Sequence, residues 1–277
     1  MPHIIVPIDN GLHTRDFICL NDLTPDHLAR QYASYRKIPD NLLTDIYYTE
    51  YFLKFTQDVM DEKMFKDQIA TISRFIVPTE NGLFLDLPYK PTTKTYIKDP
   101  RIVFAIRDIT GQIVKFSSRQ IDFDLYKIEK SAVVRYMNVE YKEHDITKSK
   151  YLNLHKVNSN NTVYAVEGFI DALFVENGIA IGSLLKRDIQ NLKHYFNDYV
   201  VCLDNEPMNR MVLNNMIKLI LDNQKVFIWP NKLKNFKDFN QMIMSEYTSD
   251  QILTIVKENT FQGQQAKDKF LEWLYVE

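Results

Sequence analysis

Two short carboxylate motifs in this chain have the residue types and the placement to handle phosphate. Glu167-Gly168 follows directly on the apolar run Val163-Tyr164-Ala165-Val166, and Asp204-Asn205-Glu206 follows directly on Tyr199-Val200-Val201-Cys202-Leu203. If both runs are strands of one parallel sheet, three carboxylates meet at its carboxyl edge, where sites form in open α/β sheets. Carboxylates so placed repel one another unless a cation joins them. Hard oxygen ligands at that density suit Mg²⁺ or Mn²⁺, with the remaining positions left to water and phosphate oxygens. Phosphoryl transfer is the chemistry such a site serves. Gly168 lets the backbone approach closely where the strand turns. Each motif also has a purely structural use: Glu167 and Asp171 would favour a helix N-terminus, and Asp204-Asn205-Glu206 with Pro207 would open a helix near Asn209. Capping does not explain why both motifs fall at corresponding strand ends.

The elements that must carry these residues follow from periodicity. From Thr162 onward, strand and helix patterns alternate: strands at 163–166, 179–181, 199–203 and 225–229, helices at 169–176, 184–195 and 209–222, with Asn177-Gly178 closing the first helix. Strands separated by helices imply parallel pairing with right-handed crossovers, hence an open α/β sheet. Residues 82–156 have a different period. Ile102–Ile106 and Gln112–Phe116 read as two strands joined by a tight turn, with Gly111 at the position that tolerates positive φ. Residues 1–75 carry helical spacing, and Thr24-Pro25 offers an N-cap followed by Pro at the first helical position. The sparse stretch Asn158-Ser159-Asn160-Asn161 reads as a junction. The expected organisation is a mixed α+β subdomain over 1–157 and an α/β catalytic domain with C-terminal helices over 158–277.

Composition narrows the class. The chain has 277 residues, 45% hydrophobic and 25% charged, with 7 Gly and 10 Pro, which excludes collagen-like and largely disordered chains. Cys19 and Cys202 stand alone, so this chain cannot assemble a zinc ribbon or a disulfide framework, and a reducing compartment is expected. His3 and His13 do not supply a zinc site. There is no long apolar run and no signal-like N-terminus, so the expected location is cytoplasmic, without a membrane partner. The net charge of −2 does not advertise nucleic-acid binding, but the segment from Lys98 to Lys156 holds twelve basic residues against eight acidic ones.

These residues carry a resemblance. Val166-Glu167-Gly168-Phe169-Ile170-Asp171-Ala172-Leu173 with Leu203-Asp204-Asn205-Glu206 resembles the Toprim fold of primases, topoisomerases and some nucleases, where a strand-end Glu and a later Asp-x-Asp pair bind Mg²⁺; here Glu206 stands for the second Asp. Ile102 to Arg119 resembles the basic hairpin of bacterial-type primases, and Lys150-Tyr151-Leu152-Asn153 their segment before the Toprim half. Asn177–Ile181, Asp204-Asn205-Glu206-Pro207 and the turn Lys237-Asp238-Phe239-Asn240 narrow the resemblance to primases of T-even-like bacteriophages, over about residues 17 to 270.

The resemblance implies that Glu167, Asp204 and Glu206 are the catalytic, metal-binding acids. Asp238 would assist the metal site, although Asp-x-Asn is equally a helix-capping turn. Lys237, Arg107, Arg119, Lys150 and Asn153 would face nucleotide and template phosphates, with a solvated basic strand face as the structural alternative. The aromatic segment 47–52 reads as core packing before it reads as a base-stacking platform. The C-terminal stretch Gln264–Tyr275, with Phe270, Leu271 and Leu274 on one face, would dock on a partner such as the replicative helicase or on its own domain.

Two departures bear on function. Primases of this family usually begin with a cysteine-rich zinc-binding domain, which two isolated cysteines cannot supply; a separate zinc protein acting in trans is one expectation. Phe116-Ser117-Ser118-Arg119 also has serines where the family often has a Gly. The activity implied is that of a DNA primase core, a DNA-directed RNA polymerase that joins ribonucleoside triphosphates on single-stranded DNA with Mg²⁺ or Mn²⁺ and no zinc. A phage source would place it in the host cytoplasm. The alternatives are a partner-dependent replisome subunit that binds single-stranded DNA and a Toprim metal-dependent nuclease.

Overall fold

A computed structural model of the chain describes residues 17–59, 99–121, 135–140, 151–182 and 186–275. The chain divides into two compact units, Met1–Ile106 with Gln112–Lys148, and Arg107–Gly111 with Ser149–Glu277. The division falls ahead of the expected junction near residue 158. Leu152 explains this: its N–H donates to Ala180 O at 3.1 Å and its carbonyl accepts from Ala180 N at 3.3 Å, so the chain has joined the second sheet before the Asn/Ser stretch begins.

The first unit is built on five strands in spatial order: β1 (Ile18–Cys19), β2 (Ile46–Thr49), β3 (Arg101–Arg107), β4 (Ile113–Gln120) and β5 (Tyr136–Glu140). β1 with β2, β2 with β3, and β4 with β5 pair antiparallel. β3 is buried continuously from Arg101 to Ile106, which is why its sequence is an unbroken apolar run rather than an alternating one. The expected β3–β4 turn is present. Gly111, at φ 86°, donates to Asp108 O at 2.9 Å, and the Asp108 carboxylate accepts from Thr110 N at 2.9 Å, closing an Asx turn.

Two helices cover parts of this unit. α1 (Leu28–Tyr35) starts later than Thr24-Pro25 predicts, because His27 supplies the cap: its Nδ1 accepts the Ala29 N–H at 3.2 Å. Thr24 O instead accepts His27 N–H at 3.0 Å, so Thr24-Pro25 closes a turn ahead of the helix. α2 (Phe52–Val59) buries Phe52, Phe55 and Val59 against Val103, Ala105, Phe116 and Val139. Phe17 lies stacked between Tyr47 and Phe55, with ring centroids 4.6 Å apart on each side. The aromatic segment is therefore core, as its packing reading expects.

The second unit holds a five-stranded sheet in the order β10-β9-β8-β6-β7. β6 (Val163–Val166), β7 (Gly178–Ala180), β8 (Tyr199–Cys202) and β9 (Val226–Phe227) are parallel, and β10 (Thr260–Phe261) adds an antiparallel edge strand that the periodicity does not predict. The helices are α3 (Lys186–Gln190), α4 (Arg210–Leu221), α5 (Phe239–Met244), α6 (Ser249–Glu258) and α7 (Gly263–Leu274).

Two expectations need correction. Residues 169–176 do not form an α-helix but a single 3₁₀ turn, Asp171–Leu173. Phe169, Ile170, Ala172, Phe174 and Val175 are all buried, so the segment has no single apolar face around which a helix would turn. At the C-terminus, α7 buries Ala266, Phe270 and Trp273, while Leu271 is half exposed. The helix packs on its own unit through Trp273 rather than through Leu271. Among the described residues no helix is long and apolar enough to cross a membrane.

Candidate active site

The two strand ends that carry the acids lie side by side. β6 delivers Glu167 and its neighbour β8 delivers Asp204 and Glu206, because Val166 and Cys202 are directly paired in the parallel register. Space is tight at Gly168: a Cβ on it would stand 2.0 Å from Asp171 Oδ2, so the Asp171 carboxylate would have to shift. Asp171, buried in the 3₁₀ turn, accepts the Asn240 N–H at 2.7 Å and so ties the end of β6 to the start of α5.

Asn205 is the clamp of the second motif. Its N–H donates to Lys237 O at 2.7 Å, its side-chain amide donates to Phe236 O at 2.8 Å, and its Oδ1 accepts Trp273 Nε1–H at 2.7 Å. One strand end, the turn before α5 and the last helix are thereby fixed to a single residue. Glu206 is held by Asn209 Nδ2 at 2.7 Å, while Asn209 caps α4 by accepting from Met211 N–H. Sequence reading names Asn205 only as part of a motif and Asp171 only as a helix-end charge. Asp171's fourth place after Glu167, beyond a Gly, was the available signal.

The electrostatics follow from burial. Glu167 is pushed above the ordinary carboxylate range, chiefly by burial and further by Glu206 and Asp238, with the Asp204 backbone amide and Lys237 pulling the other way. Its Oε2 is buried and has no hydrogen-bond partner among the described residues. Asp204 is pushed up to about 9 by burial and then by Glu167, Asp171 and Asp238. Lys237 places its Nζ 2.8 Å from Glu206 Oε1 and 3.5 Å from Asp204 Oδ2. Burial lowers the Lys237 ammonium, but the bond to Glu206 and the charges of Asp204, Glu206 and Asp238 outweigh it and hold it above its ordinary value.

Asp238 caps α5, its carboxylate accepting Gln241 N–H at 2.8 Å, while its charge is felt at Glu167 and Asp204. Among the described residues, no three His, Cys, Asp or Glu side chains are drawn together closely enough to hold a metal as they stand. The donor set nevertheless fits a hard divalent cation: every member is a carboxylate, two are pushed up by burial and then by neighbouring acids, and one buried oxygen lacks a partner among the described residues.

The other expected residues lie elsewhere. Arg119, in the first unit, is buried, stacks over Tyr136 with its guanidinium 4.9 Å from the ring centroid, and bonds the Tyr136 hydroxyl. Arg107 donates to Gly111 O at 2.9 Å across the hairpin turn. Asn153 adopts φ 65° and points its amide at Ala172 O and Gly178 O, both at 3.4 Å. Lys150 lies outside the described residues. The structure thus brings together Glu167, Asp204, Glu206, Lys237 and Asp238, adds Asp171, and uses Arg119 and Asn153 in bonds within their own units.

No family model matches the chain. It is 34% identical over 188 residues to the DNA primase of Enterobacteria phage T4, an overlap of 67% of this chain and 51% of that protein. The chain is a relative of that phage primase over the shared span. It spans about half the length of the curated relative it matches. Its fold is that of primase catalytic cores. A DnaG primase catalytic domain bound to single-stranded DNA superposes with a TM-score of 0.56 at 14% identity, covering 94% of this chain and 78% of the other. The E. coli primase catalytic core gives 0.55 at 16% identity, covering 90% and 77%. A primase domain from Pseudomonas aeruginosa gives 0.54 at 15%, covering 85% and 73%.

Proposed function

We propose that this chain is the polymerase core of a DNA primase, joining ribonucleoside triphosphates into short RNA on a single-stranded DNA template. The observation that carries the reading is the gathering of Glu167, Asp204 and Glu206 at the carboxyl edge of the second sheet, in a chain related to phage primase. These three acids would hold Mg²⁺ or Mn²⁺, with Asp238 beside them. The ion, when bound, supplies charge neutralisation for a triphosphate and for the pyrophosphate that leaves.

The chain's own residues do the rest of the positioning. Asn205 and Asn209 hold the Asp204 and Glu206 backbone and side chain so that little reorganisation accompanies the reaction. Asp171 and Gly168 fix the turn that presents Glu167. Lys237, a compact charge on a flexible stem, would meet the triphosphate. Basic side chains of the 98–156 segment would hold template phosphates, with affinity that falls steeply as salt rises. In the arrangement described, Arg119 serves the sheet, so the template contacts would fall to other cations of that segment, Lys150 among them. A replicative helicase and a zinc-bearing protein are the partners this reading calls for, and the host cytoplasm is the expected location.

The test is incubation of the protein with single-stranded DNA, labelled ribonucleotides and Mg²⁺ or Mn²⁺, beside Glu167→Gln, with candidate helicase added or withheld. Short RNA products absent from the Glu167→Gln reaction are expected. Degradation of DNA with metal alone would replace the primase reading with a nuclease. DNA binding without any product would make the chain a non-catalytic replisome subunit.

A further inference from the structure

We infer that Lys237 is the built-in counter-cation of the acidic edge, and that its ammonium must leave Asp204 and Glu206 for those carboxylates to accept a divalent cation. This inference rests on the reading of that edge as a metal-dependent nucleotidyl-transfer centre. It assigns Lys237 a role in the empty site as well as the loaded one.

The geometry argues for a built position rather than a chance surface contact. The Lys237 backbone is pinned on both sides: its carbonyl accepts Asn205 N–H at 2.7 Å, and its own N–H donates to Gln241 Oε1 at 2.8 Å. Those two bonds leave the four-carbon stem as the part that moves. At its end, Nζ reaches Glu206 Oε1 at 2.8 Å and Asp204 Oδ2 at 3.5 Å, one oxygen from each acid of the second motif. The Lys237 side chain is 42% exposed while that of Asp204 is only 16% exposed, so the way out for Lys237 is toward solvent.

Charge and size make the two occupants exclusive. A divalent cation such as Mg²⁺ takes carboxylate oxygens at about 2.0–2.1 Å, well inside the space an ammonium needs to hydrogen-bond the same atoms. One positive charge is also too little for this edge, where Glu167, Asp171, Asp204, Glu206 and Asp238 act on one another. Lys237 therefore relieves the repulsion enough for the apo fold to persist and yields to a stronger cation. Once released, it is free to turn to the phosphates of an incoming triphosphate.

The experiment is a Mn²⁺ titration of the full chain without DNA or nucleotide, following the electron paramagnetic resonance signal of free Mn²⁺. Lys237→Met is expected to bind Mn²⁺ about three- to fivefold more tightly than wild type, the size expected for losing a half-exposed ion-pair competitor. Lys237→Arg, which keeps the charge, gives no gain. Lys232→Met, which removes an exposed charge from the same segment, gives none either. Lys237→Gln provides the same comparison should the Met variant lose its cooperative thermal melt. Equal or weaker Mn²⁺ binding by the neutral Lys237 variants, or an equal gain from Lys232→Met, overturns the inference. Failure of the underlying reading looks different: Asp204→Asn would then bind Mn²⁺ as wild type does.

Discussion

The two units place charge in opposite ways. In the first, a cation is enclosed and fully answered within its own sheet: Arg101, 2% exposed, bonds Asp99 at 2.7 Å, approaches Ser118 Oγ and Arg135 O, and lies over the Phe52 ring. Arg119 is treated likewise by Tyr136. In the second, several acids converge at a strand edge with Lys237 set between two of them, and Glu167 keeps a buried oxygen without a hydrogen bond among the described residues. A buried charge that is completely paired holds a fold together; one left short of counter-charge costs stability and awaits something from outside. The first arrangement is therefore read as structural and the second as functional, although sequence alone shows both simply as charged residues beside strands.

The sharpest way to break this contrast is through pH. Asp204 is pushed up to about 9 from an ordinary 3.8, chiefly by burial. Between those values the unfolded chain has released the proton and the folded chain retains it, so stability of the metal-free protein falls as pH rises through that window, by up to about 1.4 kcal/mol per pH unit. Glu167, also raised, adds to the same slope. Denaturant melts in chelator from pH 5 to 9 should show this decline, and Asp204→Asn should flatten it. Equal slopes in the two proteins would mean that the acids are not held as described.

The reverse substitution tests the first unit. Arg101→Met empties a buried guanidinium site and leaves the partly exposed Asp99 without its partner, and is expected to destabilise the fold by about 2 kcal/mol, measured as a shift in denaturant midpoint at constant slope. Asp204→Asn in chelator should cost far less, since burial already favours the uncharged form of that carboxyl. If the two variants destabilised equally, the distinction between answered and unanswered charge would collapse.

What the sequence shows of this arrangement depends on range. Glu167 and Asp204 are legible because each follows an apolar run long enough to read as a strand, and strand ends in a parallel sheet share an edge. The role of Asp171 is hidden because its partner, Asn240, is 69 residues away. Arg119 reads as a phosphate contact since nothing local reveals that β5 will set Tyr136 opposite it. β10 is two residues long, too short for any period to register. Lys237 stands out as a charge in a turn, but its insertion between Asp204 and Glu206 depends on the Asn205 bond to its carbonyl, which only the folded chain supplies. Placement was legible where its cause lay within a few residues and hidden where it lay across the fold.

The smallest expected effect carries the opposite sign to the largest. His27 caps α1 through Nδ1, which can accept the Ala29 N–H only while the ring is neutral. Burial, opposed by the charges of Asp26 and Glu50, lowers its pKa below the ordinary 6.5, and its ring meets Tyr48 edge-on at 4.6 Å. Because the folded pKa is depressed, the cap contributes fully above about pH 6.5 and is lost as pH falls below it, where the unfolded chain takes up the proton more readily. His27→Ala should cost about 0.5–1 kcal/mol at pH 7.5, and the gap between wild type and variant should narrow at pH 5.5. A gap that ignored pH would show that the imidazole is not the acceptor. Acid would then weaken the first unit through His27 just where it strengthens the second through Asp204, the larger of the two effects; Asp204→Asn should therefore uncover the loss of stability below pH 6.5, and adding His27→Ala should remove it, which is the signature that the two units handle charge by different means.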